Sequence, residues 1–296
     1  MKILIHGRAF PIAMWRWFDW AFRDLGHQVF SVGNYDGGKI PWGPEFDFPQ
    51  YAFPPDHQIP EMEAYPIESV LKAIDFKPDV IVQASDVTYL SGKAPCKNVI
   101  LMTDPHSVDY TPRLQFADHV FNMQNAYRED GQTWIPYAFY PPIHRHIPNL
   151  ERKYDVVFSG LQYDSRRETL ERLQNEGFKV LTTLGLLYEE YVTAYNSGDV
   201  AFNWSSKNDL PARFWEGLAM RRMVLTNRCP DLEQLEFKED VHYVGFSTVE
   251  EAVEKTKFYL KNYPIMHRIQ NKGYQAVQPH TYYARAKKML GVIEAL

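Results

Sequence analysis

The stretch DLPARFWEGLAMRRMVLTN, residues 209–227, decides the reading of the fold. A proline is followed by apolar residues at helical spacing, and the pattern runs straight into MVLTN, a continuous apolar run of the kind buried on both faces of a parallel sheet. Pro211 is predicted at the first helical position, where its missing N–H removes nothing. Arg213, Glu216 and Met220 then share one face, while Phe214 or Trp215, Leu218 and Ala219 share the buried one. Arg213 stands in the first turn, where the helix dipole favours acid, so an anion is predicted there, held by free backbone N–H groups and the guanidinium. Glu216, one turn on, is placed to accept hydrogen bonds from hydroxyls of the same ligand. A diphosphate carrying a ribose satisfies both residues; the alternative is an ordinary i,i+3 surface pair.

The same strand–helix alternation extends on both sides of this stretch. Upstream, YDVVFSG, SRRETLERLQNEG, KVLTT, LLYEEYVTAYNSG and DVAFNW read alternately as strand and helix; downstream come the short strand HYVGF and a helical tail from TVEEAVEKTKFYLKN to Leu296. In VVFSGLQYDSRRETL a strand ends at Gly160, and Arg166 and Arg167 occupy the first turn of the next helix, again where a phosphate would account for cations. A solvated basic helix end is the alternative. Before these elements, TWIPYAFYPPIHRHIPNLERKY concentrates Pro136, Pro141, Pro142 and Pro148 and is the best candidate for a domain boundary.

The first half opens as a βαβ unit: strand KILIHG, helix AMWRWFDWAFRDLGH with Gly26 as its C-cap, strand QVFSVG. Residues 35–66, dense in Pro, Gly and aromatics, read as an irregular excursion of the kind that often carries function. Order resumes with IESVLKAIDFKPDVIVQAS, NVILMTD and HVFNMQ. The expected class is therefore α/β, with two doubly wound Rossmann-like domains facing a central cleft where ligands bind at the carboxyl ends of strands. The expected bounds are 1–148, 149–280, and a C-terminal helix 281–296 packing back on the first domain.

Several classes are excluded. HGRAFPIAMW lacks G-x-G-x-x-G, against a dinucleotide-dependent dehydrogenase, and no G-x-S-x-G supports a hydrolase nucleophile. HRH at 144–146 has no third ligand beside it, Asp-x-Asp is absent, and no tightly bound metal or cofactor is expected. Cys96 and Cys229 are too few and too far apart for a disulfide scaffold, no apolar run is long enough to span a membrane, and a cytoplasmic protein is expected. The net charge of −5 points to a small partner rather than to bulk nucleic acid. At the end of NVILMTD, Asp104 and His106 stand exposed in TDPHS, where a carboxylate and an imidazole could orient or deprotonate an acceptor hydroxyl; a turn fixed by Asp104 and Pro105 is the alternative.

TWIPYAFYPPIHR, YDVVFSGLQYDSRRETLERL, DLPARFWEGLAMRRMVLTN and GYQAVQPHTYYARAKKML resemble, in that order, the second half of glycosyltransferases of the GT-B fold, most closely the group of the spore-maturation protein CgeB. The resemblance covers roughly residues 98–296. It implies a nucleoside-diphosphate sugar, such as a UDP-sugar, as co-substrate in the second domain and an acceptor in the first. Glu216 matches the glutamate that contacts the donor ribose, Arg213 the arginine of the same helix opening, and Gly160 the glycine after the domain's first strand; Arg166 or Arg167 would neutralise the leaving diphosphate. Asp209 and Thr226 complete the expected donor side, and Gly7, Arg8 and Phe10 the acceptor side. Two departures stand out. The second glutamate of related retaining families, eight residues before the ribose-contacting one, is Asn208 here, and Arg221 and Arg222 replace small residues after the helix. The acceptor stays open between a glycan, a small molecule, a protein and a hydroxymethylated DNA base, as do the rival readings of a silent nucleotide-binding scaffold and a sugar-nucleotide epimerase.

Overall fold

The structure is a computed structural model describing residues 1–41, 43–84, 87–205 and 207–296; Trp42 of the 35–66 excursion and Ser85 of the VIVQAS run lie outside the described residues. By contact density the chain divides into two units, Met1–Pro136 with Tyr282–Leu296, and Tyr137–Thr281. The division falls inside the proline-rich crossover, at Pro136 rather than at residue 148.

In the first unit the described elements are β1 (Lys2–His6), α1 (Trp15–Asp24), β2 (Gln28–Gly33), β3 (Lys39–Ile40), β4 (Gly43–Asp47), β5 (His57–Gln58), β6 (Ala64–Pro66), α2 (Ile67–Ala73), β7 (Val80–Gln83), β8 (Tyr89–Ser91), β9 (Lys97–Met102), α3 (Thr111–Leu114), β10 (His119–Asn122) and β11 (Thr133–Trp134). Among the described residues a seven-stranded parallel sheet runs β11-β10-β9-β7-β1-β2-β5. The chain works outward from β1 to β5 and then returns to β7, so the strand order reverses at β1. Leu4, Val32, Ile81, Ile67 and Val70 fill the core under one face. That β1 and β7 carry apolar residues at nearly every position follows from burial on both faces. The 35–66 segment is more ordered than its composition suggests: β3 and β4 form an antiparallel ladder, β5 extends the sheet, and β6 pairs in parallel with β8.

The aromatic cluster of α1 is explained by packing. Trp15, Trp17, Phe18 and Phe22 face inward, and Tyr282 stacks on Trp17 at 6.0 Å and meets Phe18 edge-on at 5.4 Å. Tyr282 begins α10 (Tyr282–Ala295), which is tied to the same unit by Arg285 Nε donating to Pro136 O (2.9 Å) and Lys97 Nζ donating to Ile293 O (2.6 Å).

The second unit contains β12 (Tyr154–Ser159), α4 (Asp164–Asn175), β13 (Val180–Thr183), α5 (Tyr188–Asn196), β14 (Gly198–Asn203), α6 (Ala212–Ala219), β15 (Met223–Asn227), α7 (Pro230–Glu233), β16 (Val244–Phe246), α8 (Val249–Lys261) and α9 (Tyr263–Val277). Its parallel sheet runs β13-β12-β14-β15-β16, with the order reversing between β12 and β14. Phe158, Phe202, Phe246, Leu225 and Met266 belong to one continuous core. Two details of the opening helix differ from the sequence reading. Pro211 is the N-cap, with extended backbone, rather than the first helical residue. The buried side is wider than one stripe: Phe214 through Met220 are all buried because α6 is covered by β14, β15 and α9.

Candidate functional site

In an open parallel sheet the crevice for a ligand lies at the carboxyl ends of the strands where the order reverses. In the second unit that place is the end of β12 beside the end of β14. Gly160 follows β12 with φ of +144°, a conformation that L side chains rarely adopt, and a Cβ there would stand 3.0 Å from Arg213 Nη1. A glycine is therefore required both by the backbone and by the guanidinium lying against it.

Arg213 enters from the first turn of α6. Its guanidinium lies over the Phe158 ring at 5.3 Å, and its Nε is buried without a hydrogen-bond partner. Arg166, from the first turn of α4, approaches the same ring at 5.6 Å and stacks on Tyr163 at 4.7 Å. It is 7% exposed and fixed by two carbonyls: Nε donates to Trp204 O (2.6 Å) and Nη1 to Leu161 O (2.8 Å). Burial, and then the charge of Arg213, lower its pKa to about 10. Two cations thus share one phenyl ring at the mouth of the crevice, an arrangement that an anion stabilises. Arg167 is different: its side chain is 52% exposed and pairs with Asp164 at 2.7 Å on the helix surface.

Glu216, one turn below Arg213, is 9% exposed. The surface pair with Arg213 does not form; instead Tyr191 donates its hydroxyl to Oε2 (2.6 Å), and His144 Nε2 lies 3.4 Å from Oε1. His144 Nδ1 accepts from Tyr140 N (3.1 Å), which assigns the ring proton to Nε2 and makes that contact a donation. Burial lowers the His144 pKa against the pull of Glu216, and burial followed by Glu216 pushes that of Tyr191 well up. The carboxylate is held by two neutral donors and keeps lone pairs for ligand hydroxyls. Neither donor is legible in the sequence: HRH reads there only as a candidate metal ligand, and Tyr191 lies within a helical pattern. The one available signal was Glu216 itself, since a glutamate on a buried helix needs donors from neighbouring elements.

Asp209 carries the Ser205 hydroxyl on its Oδ1, and its own N–H donates to Ser205 Oγ (3.1 Å), closing the turn that leads into α6. Asn208, within that turn, has φ of +57°, a conformation that asparagine tolerates better than glutamate, which gives the absent second glutamate a local backbone reason. Thr226 is buried in β15, where its hydroxyl accepts from Asn203 Nδ2 (2.9 Å) and donates to Asn227 O (3.3 Å).

In the first unit, His106 Nδ1 meets Gln124 Oε1 at 2.8 Å. Gln124 Nε2 donates to Thr103 O (3.0 Å), which orients the amide, so Nδ1 of His106 is the donor and Nε2 carries the lone pair. Asp104 opens the turn that holds His106, its carbonyl accepting from Ser107 N (2.9 Å) and Val108 N (3.0 Å). Gly7 is placed by packing, since a Cβ would stand 2.2 Å from the Trp15 ring. Arg8 pairs with Glu61 at 3.1 Å, its carbonyl accepts from Trp15 Nε1 (2.7 Å), and Phe10 is buried. Among the described residues no group of three or more His, Cys, Asp or Glu converges as a metal site would, and no helix is long and apolar enough to cross a membrane.

Comparison with known proteins bears on the fold. No curated protein matches in sequence. Among solved structures, HepE of Anabaena in complex with UDP-glucose is similar over the whole of both chains at 12% identity, with a TM-score of 0.70. An α-glucosyltransferase in complex with UDP and a 13-mer DNA is similar over 99% of both chains (16% identity, TM-score 0.62). Sucrose-phosphate synthase from Thermosynechococcus elongatus is similar over 99% of this chain and 98% of its own (13% identity, TM-score 0.61). The family model described as glycosyl transferase-like matches residues 143–291, half of the chain and nearly all of the second unit. With that match, and with two parallel α/β sheets of GT-B type, the chain belongs to the glycosyl transferase-like family.

Proposed function

We propose that the protein transfers a hexose from a UDP-sugar to an acceptor hydroxyl, and that positively charged side chains rather than a resident metal stabilise the leaving diphosphate. The observation that carries this reading is the Arg166 and Arg213 pair on Phe158, at the crevice where the second sheet reverses its order. The UDP and UDP-glucose held by the similar structures support the choice of donor. As the bond from the anomeric carbon to the diphosphate oxygen breaks, negative charge grows on that oxygen. The Arg166 guanidinium, fixed by two carbonyls, the Arg213 guanidinium and the N–H groups of the first turn of α6 meet it. Glu216, preorganised by Tyr191 and His144, accepts from the ribose hydroxyls. His106 Nε2 takes the proton of the acceptor hydroxyl, and Asp104 builds the turn that carries the imidazole. Two free cysteines suit a reducing, cytoplasmic setting.

The test is a thermal-shift panel of UDP, GDP, ADP, CDP and TDP, with and without magnesium, on the wild type and Glu216→Ala. A ligand at 100 times its Kd raises stability by about 2.7 kcal/mol. A shift by UDP in the wild type, independent of magnesium and lost in the variant, supports the reading. No shift by any nucleotide would favour a silent scaffold, and a shift that needs magnesium would overturn the metal-independent part.

The likeness to an α-glucosyltransferase in complex with UDP and a DNA containing an HMU base supports a second acceptor, a hydroxymethylated base. The net charge of −5 is against it. A duplex-DNA mobility shift that weakens steeply with salt would decide in its favour.

A further inference from the structure

The two arginines that replace small residues after α6 do not line the donor crevice. Arg222 immediately precedes β15, and its Nη1 donates to the carbonyl of Gly198, the first residue of β14 (2.8 Å). It therefore lies at the amino ends of these strands, the opposite edge of the sheet from Gly160 and Trp204. There a cavity of about 240 Å³ is lined by Arg152, Arg221, Arg222, His146 and His267, together with uncharged amides.

The wall is cationic and its geometry is fixed. Arg222 is 1% exposed, with Nε donating to Met220 O (2.9 Å) and Nη2 facing His146 Nδ1 at 3.5 Å. Arg152 donates to the carbonyl of Asn196, and Arg221 Nε to Asn271 Oδ1 (2.7 Å). His267 Nδ1 donates to Gln270 Oε1 (2.8 Å), whose amide is oriented by Nε2 donating to Asp199 O (3.1 Å), so Nε2 of His267 is not committed to this network. Against three guanidinium groups stands the Asp199 carboxylate, 3.6 Å from Arg152 Nε and also accepting from Tyr263 (3.4 Å). Burial first, and then Arg152, lower the Arg222 pKa to about 9.

A second observation concerns the backbone. Arg221 has φ of +59°, directly after a helix, where glycine is the residue of least strain. A strained position occupied by a cation that faces two other cations is disfavoured locally on two counts, and such conflicts concentrate at functional sites. We propose that this cavity binds a small phosphate-bearing anion of about pyrophosphate size, at a site separate from the donor crevice. The three guanidinium groups supply several N–H donors in a fixed array, the arrangement suited to phosphate oxygens.

Calorimetric titration of inorganic phosphate and of pyrophosphate at constant ionic strength tests this on the wild type, Arg221→Gly, Arg152→Gln and Arg213→Ala. Arg221→Gly removes a charge while relieving the backbone, so its fold is retained even if Arg152→Gln proves unstable. The expected result is saturable pyrophosphate binding that survives Arg213→Ala and weakens by about tenfold or more in Arg221→Gly, the scale of one charged hydrogen bond. UDP affinity is expected to be the same in Arg221→Gly as in the wild type. Tighter binding of inorganic phosphate than of pyrophosphate would overturn the assigned size. Three results would overturn the site itself: no saturable binding, binding abolished by Arg213→Ala alone, or equal affinity in Arg221→Gly and the wild type.

Discussion

Tyr191 donates its hydroxyl to Glu216 Oε2 at 2.6 Å, inside a unit where the same carboxylate meets His144 Nε2 at 3.4 Å. Removing one donor leaves a buried carboxylate oxygen short of a partner. Tyr191→Phe is expected to lower stability by about 1–3 kcal/mol and to weaken UDP binding by loosening Glu216. Urea unfolding and UDP titration on one preparation check both effects. An unchanged midpoint would mean that the hydroxyl is not the carboxylate's support.

Arg213 separates binding from stability. Its guanidinium stands beside Arg166 and raises the cost of keeping that buried group charged. Arg213→Ala is therefore expected to leave the unfolding midpoint level or slightly raised, and to weaken UDP by about tenfold to a hundredfold, the scale of one or two charged hydrogen bonds. Loss of stability together with affinity would contradict this account.

Gly160→Ala places a Cβ at a backbone angle that L residues avoid, 3.0 Å from Arg213 Nη1. The expected cost is about 1–3 kcal/mol, with weaker UDP binding because the guanidinium must move. Native UDP affinity in this variant would show that the contact is not needed.

His106→Gln removes the Nε2 lone pair and keeps a polar side chain. A fall in kcat of about a hundredfold or more is expected for loss of a general base, with the donor KM near the wild-type value. A rise in KM at constant kcat would recast His106 as a binding residue.

Acid stability follows from two buried histidines. Burial first, then the charge of Arg113, lower the His6 pKa to about 3, and burial lowers that of His144. The unfolded chain takes up protons near pH 6.5 that the folded chain refuses, so the stabilisation is complete above pH 6.5 and is lost as the pH falls, for His6 toward 3. Each group contributes at most about 1.4 kcal/mol per pH unit over its window. His6→Phe is expected to flatten the loss of stability between pH 6.5 and 5; equal slopes in urea titrations of variant and wild type would refute the assignment.

Sequence by itself determined the alternation of strands and helices, because continuous apolar runs and 3.6-residue periodicity are local signals that survive without a partner. It also marked Arg213, Arg166 and Gly160, since a cation in a first helical turn and a glycine at a strand end break local rules at fixed positions. Only the tertiary structure set Arg166 against Phe158 and left Arg167 at the surface beside Asp164, because one helical step turns a side chain from the interior to solvent. It gave Glu216 two donors drawn from Tyr191 and His144, 25 and 72 positions away in the chain. It also carried Arg221 and Arg222 to the far edge of the sheet, although they directly follow the helix that Arg213 opens. Helix α6 runs from the carboxyl edge of β14 to the amino edge of β15, as a parallel crossover must, so its two ends serve opposite edges of the sheet.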